Sequence, residues 1–179
     1  MNYTTFNQVH TDVHTACHNL SGGEIRQTRG DLVENLVADL WQSLGPDHIA
    51  RTQMKHTIDF GDIGTLDIGC DVDLYVGNEL RGIVECKAYV DKCFLERAIV
   101  DFRYLKEATT VPKIVVGLEN AIAENTRKIL QHVHRDCLDA VFFLVPGKRS
   151  SGRPLYKKEF FKPIDESSYN SLVSFFKSI

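Results

Sequence analysis

Glu85 and Lys87 stand one residue apart inside an apolar, strand-forming run, IVECKAY at residues 83–89. In an extended strand alternate side chains share a face. Glu85 and Lys87 therefore point the same way as Ile83 and Tyr89, while Val84, Cys86 and Ala88 point into the expected core. On the preceding segment, CDVDLYV at 70–76, Asp71, Asp73 and Tyr75 share one face, and Val72, Leu74 and Val76 share the other. The intervening GNEL makes a tight hairpin, so setting both apolar faces on one core brings the two charged faces together. Pairing Asp73 or Asp71 with Glu85 across the hairpin needs an even sum of residue numbers. That predicts a three-residue loop at 77–79 or 78–80. A two-residue turn at Asn78-Glu79 sets Asp73 opposite Val84 unless a bulge shifts the register.

Carboxylates beside one ammonium define a particular chemistry. Carboxylate oxygens suit hard cations such as Mg2+. Bound Mg2+ acidifies a water and neutralises charge on a phosphate oxygen. A neighbouring lysine orients that water or stabilises the charge developing on the phosphate. The alternative is an exposed sheet face with a cross-strand ion pair, worth about 0–1 kcal/mol.

Such residues need a scaffold, and the chain's periodicity supplies one. After Gly30, DLVENLVADLWQSLG places Leu32, Leu36, Val37, Leu40 and Leu44 on one helical stripe, opened by Asp31 and stopped by Gly45-Pro46. Strand-like segments at 53–60, 70–76 and 81–88 form an expected meander. A helix over 92–108 carries Leu95, Ile99, Phe102 and Leu105 at helical spacing. The β-branched runs at 111–118 and 139–145 read as buried strands separated by a helix over 121–137, and a terminal helix covers 165–179. Alternating helices and strands are the pattern of an α/β fold.

The 179 residues suit one domain. Its core is expected at about 30–145, with a basic loop and C-terminal helix over 146–179. A formal charge of −3 argues against coating nucleic acid by bulk charge, while leaving room for a local basic groove. No apolar run reaches the roughly 20 residues of a membrane span, and the N-terminus lacks the apolar centre of a signal peptide. Cys17, Cys70, Cys86, Cys93 and Cys137 form no CxxC pair. The expectation is reduced thiols in a cytoplasmic protein with no membrane association.

Asp73, a turn, the lead-in Ile83-Val84 and then Glu85-Cys86-Lys87 together resemble the PD-(D/E)XK nuclease superfamily. That superfamily includes restriction endonucleases, Holliday junction resolvases and repair nucleases. The order helix, three-stranded meander, helix, strand resembles its core over residues 30–118. The resemblance implies an α/β, restriction-endonuclease-like core with a mixed central β-sheet flanked by helices. It implies Asp73 and Glu85 as metal-binding carboxylates, Lys87 as the active-site lysine, Glu34 as a further carboxylate from the first helix, and the Cys86 backbone carbonyl as a metal ligand. Val72 rather than proline precedes Asp73, which makes Asp71 a competitor for the aspartate role. The implied activity is Mg2+-dependent hydrolysis of DNA phosphodiester bonds, leaving 5′-phosphate ends. A restriction or other defence enzyme acting as a homodimer is expected, because two chains with one site each cut both strands most simply. A junction or repair nuclease, an RNA nuclease and a non-catalytic nucleic-acid-binding subunit are the alternatives.

Other residues invite weaker readings. His10, His14 and His18 share one face if helical, with Cys17 beside it; a solvated polar face is favoured over a zinc site. His132 and His134 sit two apart and read as surface residues. Arg97, Arg103 and Lys106 on the helix after the Glu85–Lys87 strand are candidates for DNA contact, against a solvated helix face. The stretch KRSSGRPLYKKEFFK, with Lys148, Arg149 and Arg153, suits phosphate contact and base stacking, against an ordinary basic loop.

Overall fold

The computed structural model describes residues 1–149 and 157–179. The chain begins with α1 (Tyr3–Ala16), whose first turn is capped by the Asn2 side chain accepting from the Thr5 N–H at 2.9 Å. Helix α2 (Gly22–Gln42) starts well before Asp31. Its start is fixed by a capping box, in which the Ser21 N–H donates to Glu24 Oε2 at 2.8 Å. This reciprocal cap, with the burial of the later stripe, outweighs the helix-weakening glycines at 22, 23 and 30.

Five strands follow: β1 (His48–Asp59), β2 (Thr65–Val76), β3 (Glu79–Val90), β4 (Lys113–Asn120) and β5 (Ala140–Phe143). They lie in the order β1-β2-β3-β4-β5. The first three form an antiparallel meander, and β3, β4 and β5 run parallel, so the sheet is mixed. The parallel pairs are joined through α3 (Lys92–Ala108) and α4 (Glu124–Val133), and α5 (Glu166–Phe176) closes the chain. Strand β1 begins earlier than its periodicity predicts because the less exposed face of its first half carries His48, Ala50 and Thr52, which give little apolar alternation to read.

One face of the sheet packs Val72, Leu74, Val84, Cys86, Ile114 and Val116 against Leu36, Leu40 and Trp41 of α2, Phe6 of α1 and Leu172 and Phe176 of α5. The other packs Ile83 and Val115 beneath Leu95, Ile99, Phe102 and Leu105 of α3. The helical stripe expected from Leu32 to Leu44 thus faces the first core, with Val33 and Trp41 added to it.

The β2–β3 hairpin departs from the expected three-residue loop. Val76 pairs with Glu79, leaving a two-residue turn whose first residue, Gly77, has φ +59°. Glycine adopts that angle without penalty, and a positive φ here matches the twist of a hairpin. Leu74 pairs with Gly82 and Tyr75 with Leu80, so Arg81 is an extra residue on β3. This bulge restores the even register, and Val72 meets Val84.

Candidate active site

The even register aims Asp71, rather than Asp73, at Glu85. The two acids are close enough for a hydrogen bond to pass between their side chains. Asp71 also reaches past the ladder: the Cys86 backbone N–H donates to Asp71 Oδ2 at 2.7 Å. On the other side of β2, pairing with β1 is broken at the same point. Thr52 meets Val72 and Met54 meets Cys70, but Gln53 between them has φ 55° and stands out of the ladder. A left-handed, non-glycine residue is a strained position of the kind that gathers at functional sites. The Gln53 side chain uses it to donate from Nε2 to Glu34 Oε2 at 2.8 Å.

Asp71, Glu85, Lys87 and Glu34 line one cavity of about 780 Å3 with Cys86, Tyr89, Phe94 and Arg97. It opens past the C-terminal end of β3, between the first half of α2 and the start of α3, where ligands of open α/β sheets are commonly held. Lys87 and Arg97 both approach the Phe94 ring, at 5.3 and 5.4 Å from its centroid. The ring's negative face steadies both cations beside the carboxylates.

Crowding raises the affinity of these acids for protons. Glu85 is pushed up to about 8, first by burial and then by the charges of Asp71 and Asp101, against the opposing pull of Arg97. Asp71 is also raised by burial, although the Cys86 N–H and Lys87 favour its ionised form. Glu34 is raised by burial, offset in part by the Gln53 hydrogen bond. Neighbouring buried carboxylates resist joint ionisation unless a cation joins them. Oxygen-only donors that resist joint ionisation fit a hard divalent ion such as Mg2+. Asp71, Glu85 and Glu34 are the carboxylates that could hold it, although their oxygens do not all come within 4.8 Å of one another.

Asp73 lies elsewhere, fully buried. Its carboxylate is 3.0 Å from His56 Nε2 and accepts from the Tyr75 hydroxyl at 3.3 Å. It is not among the residues lining the cavity. The expectation that Asp73 joins Glu85 is therefore corrected in favour of Asp71. The cause is the two-residue turn and the bulge at Arg81, which set the register at Val72–Val84 instead of pairing Asp73 with Glu85. His56, Cys70 and Asp73 are the group of potential metal donors that comes within 4.8 Å of one another among the described residues. His10, His14 and His18 do not form such a group. His14 and His18 face each other at 3.2 Å, and His10 and His14 are buried against Phe161 rather than solvated.

The basic residues divide. Arg97 and Arg149 line the cavity. Arg103 bonds His134 Nδ1 at 2.9 Å and Lys106 pairs with Asp136 at 3.0 Å, which ties both to the far end of α3 and the turn after α4. These two are engaged away from the cavity. Lys148 bridges to Asn120 at the end of β4 and lines other grooves. Arg153 lies outside the described residues. Sequence reading missed Arg26, Arg29, Gln53, Phe94 and Glu119. The capping signal at Ser21 and Glu24 could have found the arginines, because it extends α2 back over them and puts Arg26, Arg29, Gly30 and Glu34 along one helical side.

The chain adopts a restriction-endonuclease-like α/β fold, a mixed five-stranded sheet flanked by helices. Among solved structures, the chain resembles NucC of P. aeruginosa ATCC27853 in its cAAA-bound form, with a TM-score of 0.53 and 13% identity over 97% of this chain and 98% of that chain. Among curated proteins it is 30% identical over 113 residues to the type II restriction enzyme DdeI of Desulfomicrobium norvegicum, a match covering 54% of this chain and 46% of that enzyme. The match thus spans less than half the length of that relative. No family model matches the chain. Among the described residues no helix is long and apolar enough to cross a membrane.

Proposed function

We propose that the chain is a Mg2+-dependent DNA endonuclease of the restriction or defence type. The observation carrying this reading is the convergence of Asp71, Glu85, Glu34 and Lys87 on one open cavity. Asp71 and Glu85 would hold the ion, with the Cys86 carbonyl as a further ligand. When bound, Mg2+ supplies a Lewis acid for the scissile phosphate and its attacking water. Lys87, exposed and steadied over Phe94, orients that water and stabilises charge as it develops on the phosphate oxygens. Glu34, held by Gln53, anchors the water network or a second ion. Arg97 contacts the scissile phosphate or its neighbour. The resemblance to DdeI, a type II restriction enzyme, supports the substrate class over a structure-specific or RNA-directed nuclease. Two copies acting as a homodimer account most simply for cutting both strands.

The test is incubation of the protein with plasmid, branched and single-stranded DNA and a matched RNA duplex, with and without Mg2+, beside Lys87→Ala. Discrete DNA fragments that need both Mg2+ and Lys87 are expected. Intact DNA of every form defeats the proposal. Binding that neither Mg2+ nor Lys87 converts to cleavage points to a non-catalytic subunit.

A further inference from the structure

The end of the cavity away from the carboxylates carries more positive charge than its own acid can balance. Glu119, near the end of β4, is 2% exposed and accepts from Arg29 Nη2 at 2.6 Å. Arg149 Nε stands 3.7 Å from Glu119 Oε2, beyond hydrogen-bond reach. Among the described residues both of those atoms are buried without a hydrogen-bond partner. Arg26, one turn before Arg29, lines the same end. One carboxylate is thus shared by the Arg29 and Arg149 guanidinium groups, while Arg26 adds a third to the cavity lining. The excess of positive charge at this wall of the cavity, with the buried Arg149 Nε lacking a hydrogen-bond partner, suits an anion.

Arg149 is held in place rather than trailing from a loop. Its backbone N–H donates to the Asn120 carbonyl, and neighbouring Lys148 bridges to the same residue. Its guanidinium lies 4.2 Å from the centroid of the Tyr89 ring, which fixes the plane of the fork. Tyr89 follows Lys87 along the same strand, and both line the single cavity that also holds Asp71 and Glu85. An anion at the arginine end therefore sits in one continuous space with a phosphate at the carboxylate end.

We infer that Arg149, backed by Arg26 and the Arg29–Glu119 pair, forms a second phosphate subsite. It takes the backbone phosphate adjacent to the scissile one on the same strand. Arg149 contacts that phosphate, and Glu119 is a positioning residue that holds Arg29 and Arg149 at the wall. The inference rests on the nuclease reading above and adds to it a substrate-binding end distinct from the carboxylate end.

The experiment measures binding of a short DNA duplex across a range of salt, with Ca2+ in place of Mg2+, and steady-state cleavage with Mg2+. Arg149→Ala is compared with wild type and with Arg135→Ala, an exposed arginine beyond α4 that does not line the cavity. Losing one phosphate contact makes the slope of log affinity against log salt shallower by about 0.9. KM is expected to rise about ten- to hundredfold with kcat little changed, as for loss of a charge-assisted contact. Arg149→Lys keeps the wild-type slope with an intermediate KM, and Glu119→Gln raises KM without lowering kcat. Thermal denaturation checks folding, and Arg149→Gln replaces the alanine variant if that unfolds. A wild-type slope in Arg149→Ala overturns the subsite, as does equal flattening in Arg149→Ala and Arg135→Ala. If the wild type neither binds nor cuts DNA, the nuclease reading itself falls and the subsite with it.

Discussion

Asp71 and Asp73 are two residues apart and chemically identical, yet their surroundings assign them different work. Asp71→Asn removes a carboxylate from the crowded cavity, so cleavage is expected to fall at least a hundredfold while the melting temperature holds or rises. Asp73→Asn disturbs the bonds to His56 and Tyr75 inside the core and is expected to cost about 1–3 kcal/mol in chemical denaturation, with activity per folded molecule retained. The reverse pattern in paired activity and denaturation assays would restore Asp73 to the site. Lys87→Ala is expected to lower kcat by about a hundredfold or more while leaving DNA affinity within a fewfold of wild type. Glu85 makes a pH signature. Unfolded, it releases its proton near the ordinary 4.5; folded and without metal, it does so at about 8. Stability associated with the bound proton is therefore present at low pH and lost as pH rises through about 8. In EDTA the melting temperature should drop between about pH 4.5 and pH 8 and level off above, and Glu85→Gln should flatten that drop. Since a divalent ion must displace the same proton, its affinity should climb with pH and level off above about 8, as calorimetric titration can measure.

Secondary structure was legible wherever one face of an element is buried and the other is wet. The spacing of Leu95, Ile99, Phe102 and Leu105 delimits α3 without error, because all four meet the sheet. The first half of β1 puts small or polar residues on its less exposed face, and the first half of α2 carries polar residues toward a cavity rather than apolar ones toward a core. Both escaped periodicity for that reason. The parity of Glu85 and Lys87 was readable from two residues, but the partner aspartate depended on the hairpin. A single φ at Gly77 and a single extra residue, Arg81, decide between Asp71 and Asp73. Gly77→Val tests this element directly. A β-branched residue at φ +59° should lose about 1–2 kcal/mol in denaturant titration. Unchanged stability would mean the turn adopts another conformation in solution.

For the molecule as a whole, the sheet arranges a division of labour. The antiparallel half delivers Asp71, the central strand delivers Glu85 and Lys87, and the parallel half delivers Glu119 and the anchor for Arg149. If two copies cooperate on a duplex, dilution below the dimer dissociation constant should slow double-strand cutting more than nicking, and plasmid assays over a wide range of enzyme concentration would reveal it. Equal slowing of both would favour a chain that works alone. The reach of α2 back to Gly22 carries a practical warning for anyone trimming the protein to a minimal fragment. A cut placed at residue 30, where hydrophobic spacing begins, would spare the acidic pole while deleting Arg26 and Arg29 from the opposite one. Such a truncate would also strip Phe6 of α1 from the core, so weak activity in it would report an incomplete fold rather than a feeble site.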